Sequence, residues 1–185
     1  MLRIDLLNEI VFPIEVLTKE DSNYATDYLE LRKDLGKVVF VVQGFNNFSI
    51  LKKFLKENAQ CYESTIKDIV RDCFLELYYR IYGAKVINLN LLHEMIYQVK
   101  ELLIKKNTDY GNSYFELRKE FGKVAFLVRI ADKLARLKTL VKQQAQVEES
   151  EEDTIKDIIG YCLLELYYKQ YYGGESNGMD KDKEW

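Results

Sequence analysis

Apolar residues recur at helical spacing along most of this chain. In residues 2–19 they fall at Leu2, Leu6, Ile10, Ile14 and Leu17, with Pro13 expected to kink the helix. With one proline and nine glycines in 185 residues, few breaks interrupt such runs. The pattern predicts an all-α protein with further helices over Tyr28–Leu35, Lys37–Lys56, Ser64–Tyr82, Leu89–Lys106, Tyr114–Phe121, Lys123–Gln144 and Glu149–Tyr172.

One stretch conflicts with this pattern. Lys37–Val42 (KVVFVV) is rich in β-branched residues, which favour a strand. A similar stretch beginning at Lys123 (KVAFLVRIADKLARL) continues with a clear period of 3.6 residues. We therefore predict a helix at both places, and a turn over Asn107–Gly111, where Gly111 supplies a positive φ.

The chain contains an internal repeat. At an offset of 86 residues, Tyr24, Tyr28, Glu30-Leu31-Arg32-Lys33 and Gly36-Lys37-Val38 recur as Tyr110, Tyr114, Glu116–Lys119 and Gly122–Val124. After a three-residue insertion the offset is 89, and Thr65–Ile69 and Leu75–Tyr79 recur as Thr154–Ile158 and Leu164–Tyr168. Units of this length are too long for a solenoid and suggest a fused pair. We predict two tandem helical bundles packed about a pseudo-two-fold axis, over residues 1–83 and 84–172, followed by a disordered tail at 173–185.

The two copies differ in charge. Six ionisable positions of the second copy are neutral in the first: Asp109, Arg129, Asp132, Lys133, Arg136 and Asp153 correspond to Asn23, Gln43, Asn46, Asn47, Ile50 and Ser64. Scaffold positions such as Arg32 and Arg118 keep their charge in both copies. The asymmetry indicates a duplicated domain whose first copy lost a charged site.

Helical geometry brings these charges together. On one predicted helix Arg129, Asp132, Lys133 and Arg136 share an arc of about 100°. On the last helix Glu149, Asp153 and Asp157 share another face, and Gly160 would allow close approach of a helix or a ligand. Carboxylates in this series are suitable oxygen ligands for Mg²⁺. Arg129, Lys133 and Arg136 are suited to bind phosphate oxygens.

A plainer interpretation remains open for the charged arc. It lies opposite an expected apolar face made of Val124, Leu127, Val128, Ala131, Leu134 and Ala135. Charges placed opposite the buried face of a helix are normally solvated. Alternatively, the neutral arc of the first copy could be buried against the other half.

Composition excludes several classes of partner. A net charge of −3 and a pI near 5.4 give no strong signal for nucleic acid or anionic membranes. Three cysteines without CxxC spacing indicate a reducing compartment, with Cys73 and Cys162 as small buried apolar residues. No run is apolar enough for a membrane span, and acidic residues near Met1 are untypical of a signal peptide. We expect a cytoplasmic protein, and a homo-oligomer stays open.

Three motifs in order carry a family resemblance: KNTDYG at Lys106–Gly111, RIADKLARL at Arg129–Leu137, and the acidic run from Glu149 to Tyr161. They resemble the first type of nucleotide-modification-associated domain, an all-helical family of phages and bacteria. The resemblance covers about Leu89–Tyr172, with the first half as a degenerate copy. It implies action on nucleotides or modified bases, at a site that includes Asp109, Tyr110 and Gly111 besides the charged residues above. The denser carboxylate motif of the all-α nucleoside triphosphate pyrophosphohydrolases is not reproduced.

These observations lead to one main hypothesis and two rivals. In the main hypothesis the second half binds a nucleotide or small phosphorylated ligand and acts as a Mg²⁺-dependent phosphohydrolase. Glu149, Asp153 and Asp157 would hold the metal, Arg129, Lys133 and Arg136 the phosphates, and Asp132 or Asp109 would orient them as catalytic groups. The rivals are a non-catalytic nucleotide-sequestering protein and a purely structural or partner-binding helical protein.

Overall fold

A computed structural model describes residues 22–56, 62–83, 87–142 and 150–172. Within these ranges all regular structure is helical, as predicted. The helices are α1 (Ser22–Leu35), α2 (Val38–Lys56), α3 (Tyr62–Tyr82), α4 (Leu89–Tyr110), α5 (Ser113–Phe121), α6 (Lys123–Lys142) and α7 (Glu151–Tyr172). The predicted helix over residues 2–19, the tail at 173–185 and Cys61 lie outside the described residues.

The stretch with strand-like composition is helical. Residues from Val38 onward form α2, and the similar run from Lys123 forms α6. Each of these helices follows a glycine with positive φ, Gly36 at 70° and Gly122 at 61°. Glycine adopts this conformation without strain, so it ends α1 and α5 and lets the chain turn into the next helix.

Four long helices form the centre of the molecule. α3 packs against α7, α2 against α6, and each of these pairs contacts the other through α2–α3 and α6–α7. The buried core runs through both halves and includes Phe74, Phe126 and Ile159. Cys73 and Cys162 are buried in this core as free thiols, as predicted. The shorter helices cover the outside: α1 lies on α2 and α3, α5 on α6, and α4 on α3 and α7.

Two buried carboxylates anchor the short helices. Glu76 of α3 accepts hydrogen bonds from Tyr28 and from Arg32 of α1. Glu165 of α7 accepts the matching bonds from Tyr114 and Arg118 of α5. Each arginine also stacks on a tyrosine, Arg32 on Tyr79 and Arg118 on Tyr168, at 4.7 Å in both cases. The residues repeated in the sequence therefore make the same contacts twice.

Two predicted boundaries were wrong. α4 continues through the expected turn as far as Tyr110, because the Thr108 hydroxyl donates to the Ile104 carbonyl and the backbone stays helical until Gly111. α1 begins at Ser22, six residues before the predicted start of that helix. No helix in the described ranges combines the length and the apolar character that a membrane crossing requires.

Candidate functional site

The charged face of α6 lies beside the buried face and not opposite it. The buried residues of α6 are Phe126, Ile130, Leu134 and Leu137. The expected apolar face was wrong at Val124 and Val128, which are 53% and 50% exposed. With about 100° between successive residues, the charged arc is therefore about a quarter turn from the core and borders α7. This placement brings Lys133 and Arg136 into partly buried contact with α7.

Lys133 and Asp157, predicted as parts of one site, do meet. Lys133 Nζ lies 2.6 Å from Asp157 Oδ2. A residue outside the predicted set joins them, since Lys106 of α4 places its Nζ 2.5 Å from Asp157 Oδ1. The carboxylate therefore lies between two ammonium groups supplied by two different helices. This arrangement concentrates positive charge around a single anionic group.

Arg136 contacts the first turn of α7. Its Nε donates to Thr154 Oγ1 at 3.2 Å, and that hydroxyl donates in turn to the Ser150 carbonyl. Asp153 serves the same helix end, because its Oδ2 accepts from the Ser150 backbone and hydroxyl at 3.1 and 2.8 Å. Ser150 Oγ accepts reciprocally from the Asp153 backbone N–H, which completes a capping box. The hydrogen bonds from Ser150 hold the pKa of Asp153 below its usual value.

The other predicted residues are more exposed. Arg129 reaches toward α7 with its guanidinium 5.9 Å from the centre of the Tyr161 ring. Asp132 and Asp109 are exposed, and neither has a hydrogen bond or ion pair with another residue of the described segments. The structure thus joins Lys133, Arg136, Asp153 and Asp157 along the α6–α7 seam. It leaves Asp109 and Asp132 at the surface.

Comparison with known proteins addresses this part of the chain. Residues 106–167 match the nucleotide modification associated domain 1 family. The match confirms the resemblance in the second half, and it spans every predicted site residue. Searches of the curated proteins and of the solved structures found no match. The interpretation of the first half as a degenerate copy of the matched region stays a prediction.

The acidic side chains of the second half do not form a metal site within the described residues. Both oxygens of Asp157 contact lysines, and Asp153 caps α7. Within the described ranges no three His, Cys, Asp or Glu side chains lie close enough to hold a metal ion. Glu149, the third predicted ligand, lies outside these ranges. The Mg²⁺ site stays a prediction.

Gly160 of α7 faces α4. A Cβ atom at this position would lie 3.4 Å from Leu103 Cδ1 of α4. This is an ordinary van der Waals distance, so a small side chain would fit here. The predicted role of Gly160 in a close approach stays a prediction.

At the corresponding place, the first half holds a polar cluster of a different kind. Asp72 of α3 is buried and accepts from Tyr24 Oη at 2.7 Å and from Asn47 Nδ2 at 3.0 Å. Arg71 Nε lies 3.5 Å from Asp72 Oδ1, and Gln43 donates to Tyr24 Oη. Burial raises the pKa of Asp72 to about 6, although the bonds from Tyr24 and Arg71 oppose the shift. In the first half, Tyr24 and Asn47 therefore bind a carboxylate that the chain itself supplies, that of Asp72.

Asp72→Asn tests this raised pKa. The folded state takes up the Asp72 proton more readily than the unfolded chain, so the carboxyl contributes stability at low pH that is lost as pH rises toward 6. Between pH 4 and pH 7 the free energy of unfolding of the wild type should fall by about 2 kcal/mol relative to the variant. Urea denaturation at several pH values measures this difference. Asp34→Asn, at an exposed site on α1, is the control and should show no such trend; a flat difference for Asp72→Asn would contradict the shift.

The sequence analysis missed several residues of these clusters. Lys106 begins the KNTDYG motif, but the sequence does not indicate its role because its partner Asp157 lies 51 positions away. Asp72, Tyr24 and Arg71 were overlooked because the first copy was judged only by the charges it lacks. The sequence does contain a signal for this cluster, because the first copy has the charged pair Arg71-Asp72 at the positions where the second copy has the uncharged Gly160-Tyr161.

Proposed function

We propose that the protein binds a nucleotide through its second half, with the phosphate held by Lys106 and Lys133. The observation that carries this proposal is the carboxylate of Asp157 lying between these two ammonium groups. A position bordered by lysines from two helices favours an anion, and phosphate oxygens form strong charge-assisted bonds with such groups. The family match of residues 106–167 supports a nucleotide as the ligand class.

Two arginines extend the cationic surface beside this position. Arg136 of α6 is partly buried where it contacts the first turn of α7. Arg129 is exposed and lies beside the Tyr161 ring. Arginine binds phosphate in a planar, bidentate manner, which suits the outer oxygens of a ligand. Asp132, one turn from Arg136 on α6, and Asp109, at the end of α4, would orient the bound phosphates as candidate catalytic groups. Their exposed carboxylates are available for that role.

Hydrolysis with Mg²⁺ is the further step of this proposal. The ion would be held by Glu149, Asp153 and Asp157, and when bound it would activate a water and neutralise phosphate charge. The function would be linked to nucleotide or DNA-base modification, as for the family. The rival hypotheses of a sequestering protein and of a partner-binding protein lack these steps.

We infer that the two halves are related by a pseudo-two-fold axis. Support comes from the paired contacts of Arg32–Glu76 and Arg118–Glu165, and from the packing of α2 on α6 and of α3 on α7. Exposed apolar residues also recur at matching positions, Val38 and Val42 in one half and Val124 and Val128 in the other. These surfaces support a homo-oligomer, and we propose a cytoplasmic location.

Lys133→Asn tests nucleotide binding with a residue that the chain itself uses at the matching position, Asn47. Loss of a charge-assisted bond of about 1.5–3 kcal/mol should weaken binding roughly 10- to 100-fold. Isothermal titration calorimetry with a panel of deoxynucleoside mono- and triphosphates, with and without Mg²⁺, measures the affinity, and product analysis measures hydrolysis. Lys119→Asn makes the same change at an exposed site on α5 and should leave the affinity unchanged.

The panel separates the three hypotheses. Binding with Mg²⁺-dependent product release supports the phosphohydrolase, and binding without product supports the sequestering protein. If the wild type binds no nucleotide in the panel, or if both lysine variants bind equally well, the site does not have this function.

A further inference from the structure

The polar cluster of the first half contains a stacked pair of side chains. The guanidinium of Arg71 lies 3.8 Å from the centre of the Tyr24 ring. Next to Arg71 in sequence, the Asp72 carboxylate accepts from Asn47. The planar guanidinium of Arg71 on Tyr24 and the carboxylate of Asp72 beside Asn47 therefore lie next to each other in this cluster. Both groups come from the chain itself.

The matching positions in the second half lack these groups. The repeat offsets place Gly160 and Tyr161 where the first half has Arg71 and Asp72, so these two positions supply neither a guanidinium nor a carboxylate. The residues that would receive them are retained or strengthened: Tyr110 matches Tyr24, and Lys133 matches Asn47. The carboxylate that contacts Lys133 in the second half is that of Asp157. Tyr110 is 72% exposed, whereas Tyr24 is partly buried.

Tyr110 is placed close to the anion position. It lies four residues after Lys106 on α4, so the two side chains project from the same face of the helix. Lys106 contacts Asp157 at the centre of the cationic cluster. α4 ends immediately after Tyr110 at Gly111, whose φ of 63° begins the turn into α5. The exposed ring therefore stands one turn from the lysine, at the edge of the cluster.

We propose that Tyr110 is the base-stacking residue of the nucleotide site. The base of the ligand stacks on Tyr110 as Arg71 stacks on Tyr24, and its phosphate takes the place of the Asp157 carboxylate beside Lys106 and Lys133. This inference rests on the proposed function and adds that the ligand must carry an aromatic base. Stacking on a single aromatic side chain tolerates any of the bases, because each has a π face. The site therefore distinguishes a nucleotide from a sugar phosphate more strongly than one base from another.

Calorimetric titration of Tyr110→Ala and Tyr110→Phe with a deoxynucleoside monophosphate tests this proposal. Loss of one stacking contact should weaken binding of the nucleotide by about 10-fold in Tyr110→Ala, within a range of roughly 5- to 100-fold. Tyr110→Phe keeps the ring and should bind as the wild type does. Deoxyribose 5-phosphate, which has no base, should bind equally to all three proteins.

Tyr97→Ala is the matched control, because Tyr97 is another exposed tyrosine of α4 and lies about two and a half turns before Lys106 in the helix. It should leave the affinity for nucleotide unchanged. If Tyr110→Ala binds the monophosphate as the wild type does while Lys133→Asn binds it more weakly, the stacking role is wrong and the phosphate site stands. If the wild type binds neither the nucleotide nor the sugar phosphate, the proposed function fails and the stacking role fails with it.

Discussion

Glu165→Gln is expected to lower the free energy of unfolding by about 3–5 kcal/mol. Glu165 is completely buried and accepts hydrogen bonds from Tyr62, Tyr114 and Arg118. Glutamine keeps the size of the side chain but leaves the buried guanidinium of Arg118 without its counter-charge. Breaking one partner of a buried ion pair has this effect because the remaining charge stays desolvated. Urea denaturation followed by circular dichroism measures the loss.

An exposed carboxylate on α5 provides the control for this substitution. Glu120→Gln makes the same chemical change in solvent, and its effect should stay within about 0.5 kcal/mol. Replacing both members of the pair, as Glu165→Leu with Arg118→Met, should restore part of the stability, since no buried charge remains. A loss below about 1 kcal/mol for Glu165→Gln would mean that the carboxylate does not anchor α5.

Asp157→Asn is expected to raise the affinity for phosphate in the absence of metal by roughly 10-fold. In the wild type the carboxylate occupies Lys106 and Lys133 at 2.5 and 2.6 Å and competes with any incoming anion. The neutral amide removes that competition while keeping the shape of the side chain. Titration of inorganic phosphate against both proteins, by calorimetry without Mg²⁺, measures the change.

Asp68→Asn is the corresponding change in the first half, where Asp68 pairs with Arg71. It should leave the phosphate affinity unchanged, because Glu20 and Asn47 stand at the sequence positions that match Lys106 and Lys133. An unchanged or weaker affinity in Asp157→Asn would contradict the role of the two lysines.

The order and type of the helices could be predicted from sequence because apolar spacing and repetition agreed. The run from Lys37, strand-like in composition, was assigned correctly through its second copy. The buried face of α6 was predicted correctly at Leu134 and wrongly at Val124 and Val128, since this helix carries two apolar stripes and the sequence does not tell which one meets the bundle. Val124 and Val128 belong to the exposed stripe. The end of α4 was missed because the polar residues before Gly111 favour a turn as well as a helix end.

The site was predictable only along single helices. Lys133 and Arg136 share a face of α6, and helical spacing alone predicts that. Contacts between helices depend on packing, so neither Lys106 beside Asp157 nor Tyr24 beside Asp72 follows from a local pattern. The comparison of the two copies in sequence characterises the first half only by the charged residues that it lacks. The partly buried Arg71 and the buried Asp72 are brought together with Tyr24 and Asn47 only by the packing of α1 and α2 on α3.

Titration of ¹⁵N-labelled protein with a deoxynucleoside monophosphate, followed by NMR, tests most directly where the ligand binds. We expect amide shift changes around Lys106, Tyr110, Lys133 and Asp157, with Tyr24, Asn47 and Asp68, which match the last three, unaffected. Changes centred on the first half, or spread evenly over both halves, would contradict a single open site in the second.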